Sequence, residues 1–290
     1  MKNISFSSDE LPPELTSRER ARQWAEVIGS GGGTSEVRVP DSSKFRSQFR
    51  GSFLGDMAVM KTTATSIELH RTQARIARDG NDSGLLLIGN SARPVGGTQF
   101  GREVSFARGS AAFFVNNHVN ETWARKGGSV IALVVPRRQL QAVHREPEHF
   151  GGRRLHESNE ALRLMRIYLD ALLAGQSPAN ELLVKAAVDH IAELLNIALS
   201  ASVADKASDD AASMRAARYL EALRFIRTRF QKPDLDPGHI SDAMRVSVRY
   251  LQYLFAENGT TFSEPPRDCR RLQLLRRWSH YEQDCKQVFN

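Results

Sequence analysis

Short apolar or alternating runs, separated by glycines, recur between residues 49 and 135. Five of these runs predict β-strands, at 66–70, 85–88, 104–106, 111–115 and 130–135. Several short strands with turn residues between them are typical of a β-sandwich or a β-barrel. Pro136 ends the last strand because it has no N–H to donate to a ladder.

Two helical patterns follow, separated by Gly175 and Pro178. The first repeats apolar residues at spacings of three and four: Leu162, Met165, Leu169, Leu172 and Leu173. In the second, apolar residues nearly encircle the helix: Leu182, Leu183, Ala186, Ala187, Val188, Ile191, Leu194, Leu195 and Ile197. Such a helix must be buried from more than one side. Packing on its own chain and packing in a homodimer both satisfy this requirement, and the sequence leaves the choice open.

Three further helices are predicted near the carboxyl terminus. The first carries an apolar stripe of Tyr219, Leu220, Leu223, Ile226 and Phe230. Asp236 as N-cap and Pro237 at the first helical position begin a short helix, which should bury Ile240, Ala243 and Met244. After a tight turn at 245–246, Ser247 caps a helix that runs to Glu257 and is closed by Gly259.

The last of these helices has two different faces. Leu251, Leu254 and Phe255 form its inner face, and the opposite face carries Val248, Arg249, Gln252 and Tyr253. Arginine can bond guanine with two hydrogen bonds, and glutamine can do the same with adenine. A short helix, a tight turn and a polar-faced second helix predict a helix-turn-helix, although other helical hairpins share this spacing.

Composition restricts the class of protein. With 41% hydrophobic and 25% charged residues, the 290-residue chain is typical of a globular protein of two domains. It has no apolar run of about 18 residues and no apolar core of a signal peptide at its start, so we expect no membrane association. Cys269 and Cys285 make neither a disulfide scaffold nor a zinc site, and we expect a cytoplasmic protein.

The net charge of +7 is concentrated near the carboxyl terminus. Residues 211–290 hold 14 basic and 9 acidic side chains, beyond a small, polar segment at 200–210 that predicts a linker. The excess beside the predicted helix-turn-helix indicates an anionic partner. Five of the arginines lie in the last segment of the chain: Arg267, Arg270, Arg271, Arg276 and Arg277.

No catalytic motif is evident. A cupin-type metalloenzyme needs clustered His and carboxylate ligands, but His70 and His118 stand alone in the sequence, and no Gly-x-Ser-x-Gly, P-loop or GxGxxG motif is found. We therefore predict no enzyme, no metal ligand and no cofactor. The lining of any ligand cavity is unknown, because the strand register decides which of the aromatic residues Phe100, Phe106, Phe113, Phe114 and Trp123 point inward.

A family resemblance is carried by residues 235–263. The core Val-Ser-x-Arg-Tyr-Leu-x-x-Leu-Phe at 246–255, followed by Gly-Thr-x-Phe-Ser at 259–263, resembles the first helix-turn-helix of AraC/XylS-family transcription regulators. The segments 70–72, 98–104 and 134–140 are similar to the AraC-type binding domain. Arg71, Gln99 and Arg102 match positions of that domain, where they either bind ligand or hold the domain together.

The resemblance implies an α+β fold. Its expected parts are an N-terminal extension (1–44), a cupin-like β-barrel or double-stranded β-helix (45–145), a helical dimerisation segment (155–199), a linker (200–212), an all-α helix-turn-helix module (213–264) and a basic atypical tail (265–290). Five residues would face the major groove of DNA: Ser247, Val248, Arg249, Gln252 and Tyr253.

The implied function is that of a DNA-binding transcription regulator. Double-stranded operator or promoter DNA, a second copy of the chain, RNA polymerase and a small-molecule effector are the implied partners. Two alternatives remain: a regulator that dimerises but has lost sequence-specific DNA binding, and a cupin-type enzyme. The sequence does not identify the effector or the operator. It also does not decide between an activator and a repressor, although the resemblance points to an activator.

The sequence departs from the family at three places. Arg245 replaces the usual glycine of the turn, Pro265 and Pro266 interrupt a long helix of the family, and the chain ends at Asn290, before a second helix-turn-helix. We expect the tail to be either a basic helix on phosphate or, more in line with the prolines, the product of a truncated or frameshifted gene. One module should bind DNA more weakly than two unless dimerisation compensates.

Overall fold

The computed structural model describes residues 3–40, 44–141, 146–175, 180–204, 211–229 and 236–261. The chain divides into two compact units, Met1–Asp209 and Asp210–Asn290. This boundary lies inside the predicted linker 200–212, although the helix before it continues to Ala204. No helix in these described segments is long and apolar enough to cross a membrane.

The first unit contains two antiparallel sheets. Its strands in the described segments are β1 (Asn3–Ser7), β2 (Glu36–Arg38), β3 (Ser47–Leu54), β4 (Met57–Ala64), β5 (Ile67–Arg71), β6 (Gly84–Gly89), β7 (Val95–Gln99), β8 (Arg102–Phe106), β9 (Ala111–Val115), β10 (Asn120–Ala124), β11 (Gly128–Val135) and β12 (Arg153–Leu155). The seven-stranded sheet has the order β1-β3-β4-β11-β6-β9-β12, and the five-stranded sheet has the order β2-β5-β10-β7-β8.

The five predicted runs coincide with β5, β6, β8, β9 and β11, so the β character of this unit is confirmed. The structure does not show the predicted closed barrel. In the described segments the ladders form two separate sheets, whose edges are β1 and β12 in one and β2 and β8 in the other. Residues 1–44, expected to be an extension, contribute the edge strands β1 and β2.

Five α-helices accompany the sheets in the described part of this unit: α1 (Ser17–Gly32), α2 (Gln73–Asp79), α3 (Arg137–Gln141), α4 (Glu160–Leu173) and α5 (Glu181–Ala204). Thr16 and Glu19 form a capping box at the start of α1, which satisfies two backbone donors. Trp24 of α1 then packs edge-on against Phe45, with ring centroids 5.8 Å apart. α1 is thereby fixed over a core cluster that includes Phe49 and Ile67.

The two middle helices bury most of the predicted stripes. The five apolar residues of the α4 stripe are at most 9% exposed, and the Asn159 side chain joins α4 to α5 by donating to the carbonyl of Ala198 at 2.9 Å. The inner face of α5 is buried within this chain, which supports the first of the two options for that helix. Several large apolar residues remain exposed on α4 and α5, however: Leu164, Ile167, Leu182, Leu183 and Ile197.

The second unit consists, in its described part, of α6 (Ala211–Arg229), α7 (Pro237–Met244) and α8 (Val248–Glu257). Its core is apolar: Tyr219, Ala222, Leu223, Ile226, Ile240, Met244, Leu251, Leu254 and Phe255. The predicted burial of Ala243 is wrong. Ser241 is buried beside Ile240 and Met244, which turns Ala243 to the solvent. Phe230, the last residue of the predicted α6 stripe, lies outside the described residues.

Candidate functional site

The outer face of α8 presents the residues that the sequence predicts to contact DNA. Val248, Arg249, Gln252 and Tyr253 are exposed, whereas Leu251, Leu254 and Phe255 on the opposite face are fully buried. Ser247 is exposed as well and caps the helix, its Oγ accepting from the backbone N–H of Tyr250 at 3.1 Å. The structure therefore brings the five predicted residues together on one accessible surface.

Packing and hydrogen bonds fix the orientation of α8. The rings of Tyr219 and Phe255 meet edge-on at 5.3 Å, and Arg215 of α6 forms an ion pair with Glu257 at 3.2 Å. At the end of α8, Gly259 has φ +63°, and its N–H and that of Thr260 donate to the last turn of the helix. This is the double closure of a Schellman motif, and it confirms the predicted helix end.

The turn between α7 and α8 uses an arginine in a left-handed conformation. Arg245 has φ +53° and ψ +46°, and its N–H donates to the carbonyl of Asp242 while that of Val246 donates to Ser241. The turn thus keeps the hydrogen bonds of a glycine-containing motif without the glycine. At the other end of α7, a hydrogen bond from the backbone N–H of His239 holds the pKa of the N-cap Asp236 below its ordinary range.

Two guanidinium groups are available at this end of α8. Arg245 and Arg249 are exposed and form no ion pair with any residue that the structure describes, in contrast to Arg215 and Arg218, which are paired with glutamates. The hydroxyl of Tyr253 donates to Glu257 at 3.4 Å, which holds its ring on the outer surface. The face therefore combines positive charge, an amide and a hydroxyl, the groups that protein surfaces use toward phosphates and base edges.

A second candidate feature is a cavity of about 140 Å³ in the first unit. A cavity needs a volume of roughly 10–15 Å³ to hold one water molecule, so this cavity has room for a small organic ligand. Apolar side chains from both sheets line it, including Leu69, Leu87 and Val130, and Trp24 and Ile28 of α1 complete the wall. Its polar lining is uncharged: Ser35, Thr62, Asn116, Asn120 and Thr122.

The observed register settles which aromatic residues face this interior. Phe106 and Phe114 pack in the cluster beside the cavity, while Phe113 points to the other face of its strand. The ring of Trp123 lies on the outer face of β10, under the guanidinium of Arg125 at 4.3 Å, because Thr122 and Ala124 are the residues of that strand that face the cavity. Gly97 is required for this arrangement, because a Cβ there would lie 2.5 Å from Cζ of Phe114.

The three family-matched residues of this unit have structural contacts. Arg71 is 3% exposed, donates from Nε to the carbonyl of Asn116 at 2.6 Å, and clamps Asp79 with two bonds of 2.8 and 2.9 Å. Burial alone would raise the pKa of Asp79, but hydrogen bonds from Arg71 and from backbone N–H groups hold it well below its ordinary range. Arg71 thus joins the strand β5 to the loops around it.

Gln99 and Arg102 bind backbone groups in the same way. The Gln99 amide donates to the carbonyl of Val115 at 2.8 Å and accepts from its N–H at 2.9 Å, as a strand would. Arg102 donates to the carbonyl of Gly151 at 2.8 Å, and burial lowers its pKa to about 10. Of the two roles left open by the sequence, these contacts support that of holding the domain together.

The histidines have neighbours that the sequence did not reveal. His118 Nδ1 lies 2.9 Å from Oδ1 of Asn117, beside the buried ion pair of Arg137 and Glu148, whose atoms are 2.6 Å apart. Burial opposes ionisation of Glu148, yet the charge of Arg137 brings its pKa below the ordinary value. His70 lies with Glu68 and Glu121 on neighbouring strands. Only the Glu-x-His spacing of 68–70 hinted at this second group, because the third member depends on strand register.

The chain thus has two compact units, one built on two antiparallel sheets and one of helices with an exposed polar face. Among solved structures, the crystal structure of the AraC-like transcriptional activator CuxR is similar over 96% of this chain and 95% of that chain, with a TM-score of 0.58 and 18% identity. The chain therefore has an AraC-like fold. No protein-family model matches the chain, and a comparison with curated protein sequences finds no match.

Other solved structures are similar at TM-scores too low to carry structural weight. They include fatty-acid-bound ToxT from Vibrio cholerae (TM-score 0.20, 10% identity, 61% of this chain and 84% of that one) and a Bacillus subtilis oxalate decarboxylase (TM-score 0.24, 9% identity, 47% and 30%).

Proposed function

We propose that this protein is a transcription regulator that binds operator DNA through α7 and α8, acting as a helix-turn-helix. The observation that carries the proposal is the outer face of α8, where Arg249 and Gln252 are exposed on a helix fixed by a buried opposite face. The AraC-like fold supports it. DNA binding of this kind also implies a cytoplasmic protein.

In this proposal α8 is the recognition helix. Arg249 bonds a guanine and Gln252 an adenine in the major groove, each contact contributing about 1–3 kcal/mol of discrimination. Ser247, Val248 and Tyr253 lie on the same face and contact the groove walls or the backbone. Arg245, at the start of the helix, is placed to neutralise a phosphate.

The cavity of the first unit is assigned to an effector rather than to catalysis. Its uncharged lining suits a small, mostly apolar molecule with one or two hydrogen-bonding groups. Trp24 lines it, so tryptophan fluorescence reports its occupancy. A saturable change with toluene as an apolar probe supports the assignment, provided that it disappears in Ala132→Phe, which fills the cavity. No change at saturating toluene contradicts it.

The exposed apolar side chains of α4 and α5 are assigned to a homodimer interface. Ile167 is 68% and Leu182 is 77% exposed, and Leu183 and Ile197 lie on the same side of α5 as Leu182. Large apolar groups left in solvent on two packed helices are typical of an association surface. Symmetric pairing of this face with a second copy would bury all of them.

The experiment is a selection of bound duplexes from a random DNA library, followed by gel shifts at fixed salt. We expect the wild-type protein to enrich one sequence motif, and Arg249→Ala/Gln252→Ala to lose at least about tenfold in affinity for it while keeping its affinity for unrelated DNA. Arg218→Ala is the control, because it removes a charge of the same unit that is already paired with Glu221.

Equal binding of the motif by the wild type and the double variant would contradict base readout by α8. Failure of the folded wild-type protein to enrich any motif would instead favour the alternative of a dimerising regulator without sequence-specific DNA binding.

A further inference from the structure

Three ligand-type side chains meet on the five-stranded sheet, on the face turned away from the cavity. Glu68 and His70 are two residues apart on β5 and therefore share a face, and Glu121 of β10 is the register partner of His70. The neighbours Ile67, Leu69 and Thr122, of opposite parity, line the cavity. One ligand atom from each of the three residues lies within 4.8 Å of the other two.

The distances within this group suit a shared ion better than direct hydrogen bonds. His70 Nε2 is 3.7 Å from Oε2 of Glu68, and Nδ1 is 3.7 Å from Oε2 of Glu121. Both separations exceed hydrogen-bonding range. Metal–ligand bonds of about 2.1 Å at tetrahedral or octahedral angles place ligand atoms about 3.0–3.4 Å apart. The two carboxylates face different ring nitrogens. For both to bind one ion, the carboxylate on the far side of the ring must rotate about its side-chain bonds.

Burial and charge favour a cation at this point. The His70 side chain is 18% exposed, and its Nε2 has no hydrogen-bond partner among the residues that the structure describes. Glu68 and Glu121 are about one-third exposed, so the group is accessible to an ion from solvent. Two carboxylates and a neutral imidazole together match the charge of a divalent ion.

Arg125 positions one of the ligands. Its Nε lies 3.8 Å from Oε1 of Glu68, and its guanidinium stacks over the ring of Trp123 at 4.3 Å. Oε1 therefore faces the arginine, while Oε2 faces His70. A partner outside the ligand set that orients a ligand in this way is typical of metal sites.

We propose that Glu68, His70 and Glu121 bind a divalent first-row transition-metal ion of the Zn²⁺ type. The imidazole nitrogen disfavours Mg²⁺ and Ca²⁺, which prefer oxygen ligands only, and the carboxylates disfavour Cu(I), which prefers sulfur. Three protein ligands leave at least one position for water. The ion would join β5 to β10 next to Arg71 and Asn120, which follow His70 and precede Glu121 in the chain. The site requires neither DNA nor a cavity ligand.

The test is titration of the purified full-length chain with Zn²⁺, followed by calorimetry, with Co²⁺ as a spectroscopic probe. We expect one equivalent to bind to the wild type and to His156→Gln, which removes an exposed histidine elsewhere. His70→Gln and Glu121→Gln should each weaken binding at least about tenfold, with unchanged circular dichroism. Glu121 lies on the surface, so Glu121→Gln keeps the test valid if His70→Gln fails to fold.

Two outcomes would overturn the proposal. One is the absence of Zn²⁺ binding by the folded wild type up to millimolar concentration. The other is one-equivalent binding that persists in both variants, which places the ion elsewhere. In the second case a thiolate charge-transfer band in the Co²⁺ spectrum would identify Cys269 or Cys285 as a ligand.

Discussion

At the scale of single residues, the turn before α8 contains backbone strain at a residue that is not glycine. Arg245 occupies a left-handed conformation that costs a non-glycine residue about 1–2 kcal/mol. The same kind of turn at the end of α8 uses Gly259, at φ +63°. An arginine at the first turn supplies a charge beside α8, which a glycine could not.

We expect Arg245→Gly to stabilise the second unit by about 0.5–1 kcal/mol. Relief of the left-handed strain exceeds the extra chain entropy that glycine loses on folding. Amide hydrogen exchange of α7 and α8 measures the change. Gly259→Ala is the opposite control, because it puts a Cβ at a left-handed position, and it should destabilise the same helices by about 1 kcal/mol. Slower exchange in Gly259→Ala, or faster exchange in Arg245→Gly, would contradict the strain argument.

The ion pair between the buried Arg71 and the partly exposed Asp79 makes a second prediction at this scale. Asp79→Asn leaves a buried guanidinium without its counter-charge, and should lower the free energy of unfolding by about 2–4 kcal/mol at pH 7. Because the folded-state pKa of Asp79 is lowered, its contribution is complete above about pH 5 and is lost progressively as pH falls toward the folded pKa.

Urea unfolding at several pH values tests the predicted loss of this stabilisation at acid pH. The difference in the free energy of unfolding between wild type and Asp79→Asn should be constant above about pH 5 and should shrink below about pH 4. Asp56→Asn is the matched control: Asp56 pairs with the exposed Arg138, and its loss should cost less than about 1 kcal/mol. A difference between wild type and Asp79→Asn that grows toward acid pH would show that the pair does not stabilise the ionised carboxylate.

Individual residues were predictable where one helix face decides their position. The exposed and buried sets of α8 follow from helical periodicity, and Ser247 and Gly259 mark its ends. The group of Glu68, His70 and Glu121 was not predictable, because its third member comes from a strand 50 residues away whose register the sequence does not state. The same reason hid the outward orientation of Trp123.

At the scale of elements, predictability depended on how strongly local sequence favours one structure. The apolar runs that became β6, β9 and β11 are central in their sheet and were predicted. Seven strands were not predicted: β1, β2, β3, β4, β7, β10 and β12. Most of them contain polar residues or glycine instead of a continuous apolar run, and β2 and β12 have only three residues. α1 was missed as well, although Thr16-x-x-Glu19 is the signature of a capping box.

The exposed apolar face of α4 and α5 yields a prediction for these elements. Ile167→Glu/Leu183→Glu should convert a dimer to a monomer, because each charge would be buried without a partner in the interface. Sedimentation velocity measures the change. Lys126→Glu alters the net charge by the same two units at an exposed turn outside α4 and α5, and should leave the dimer intact. A wild-type protein that sediments as a monomer at high micromolar concentration would refute the interface.

At the scale of the whole molecule, the proposed function makes the two units depend on each other through the number of DNA contacts. If α8 is a recognition helix, it reads one short segment, so a protomer alone would bind weakly. A dimer would gain affinity, because its second module would act at high effective concentration. Most of the excess charge lies beyond the linker, but five of its arginines, from Arg267 to Arg277, lie outside the described residues. Charge alone therefore does not decide how tightly one module holds DNA.

This dependence makes a prediction that separates affinity from base readout. Ile167→Glu/Leu183→Glu leaves α8 untouched, yet it should weaken binding to DNA with two copies of the selected motif about 10- to 100-fold, because the second module is no longer tethered. Binding to DNA with one copy should be unchanged. Arg249→Ala/Gln252→Ala should instead weaken both. If the dimer-face variant bound two-copy DNA as tightly as the wild type, the first unit would contribute nothing to operator affinity, and a monomer with one module would be the DNA-binding form.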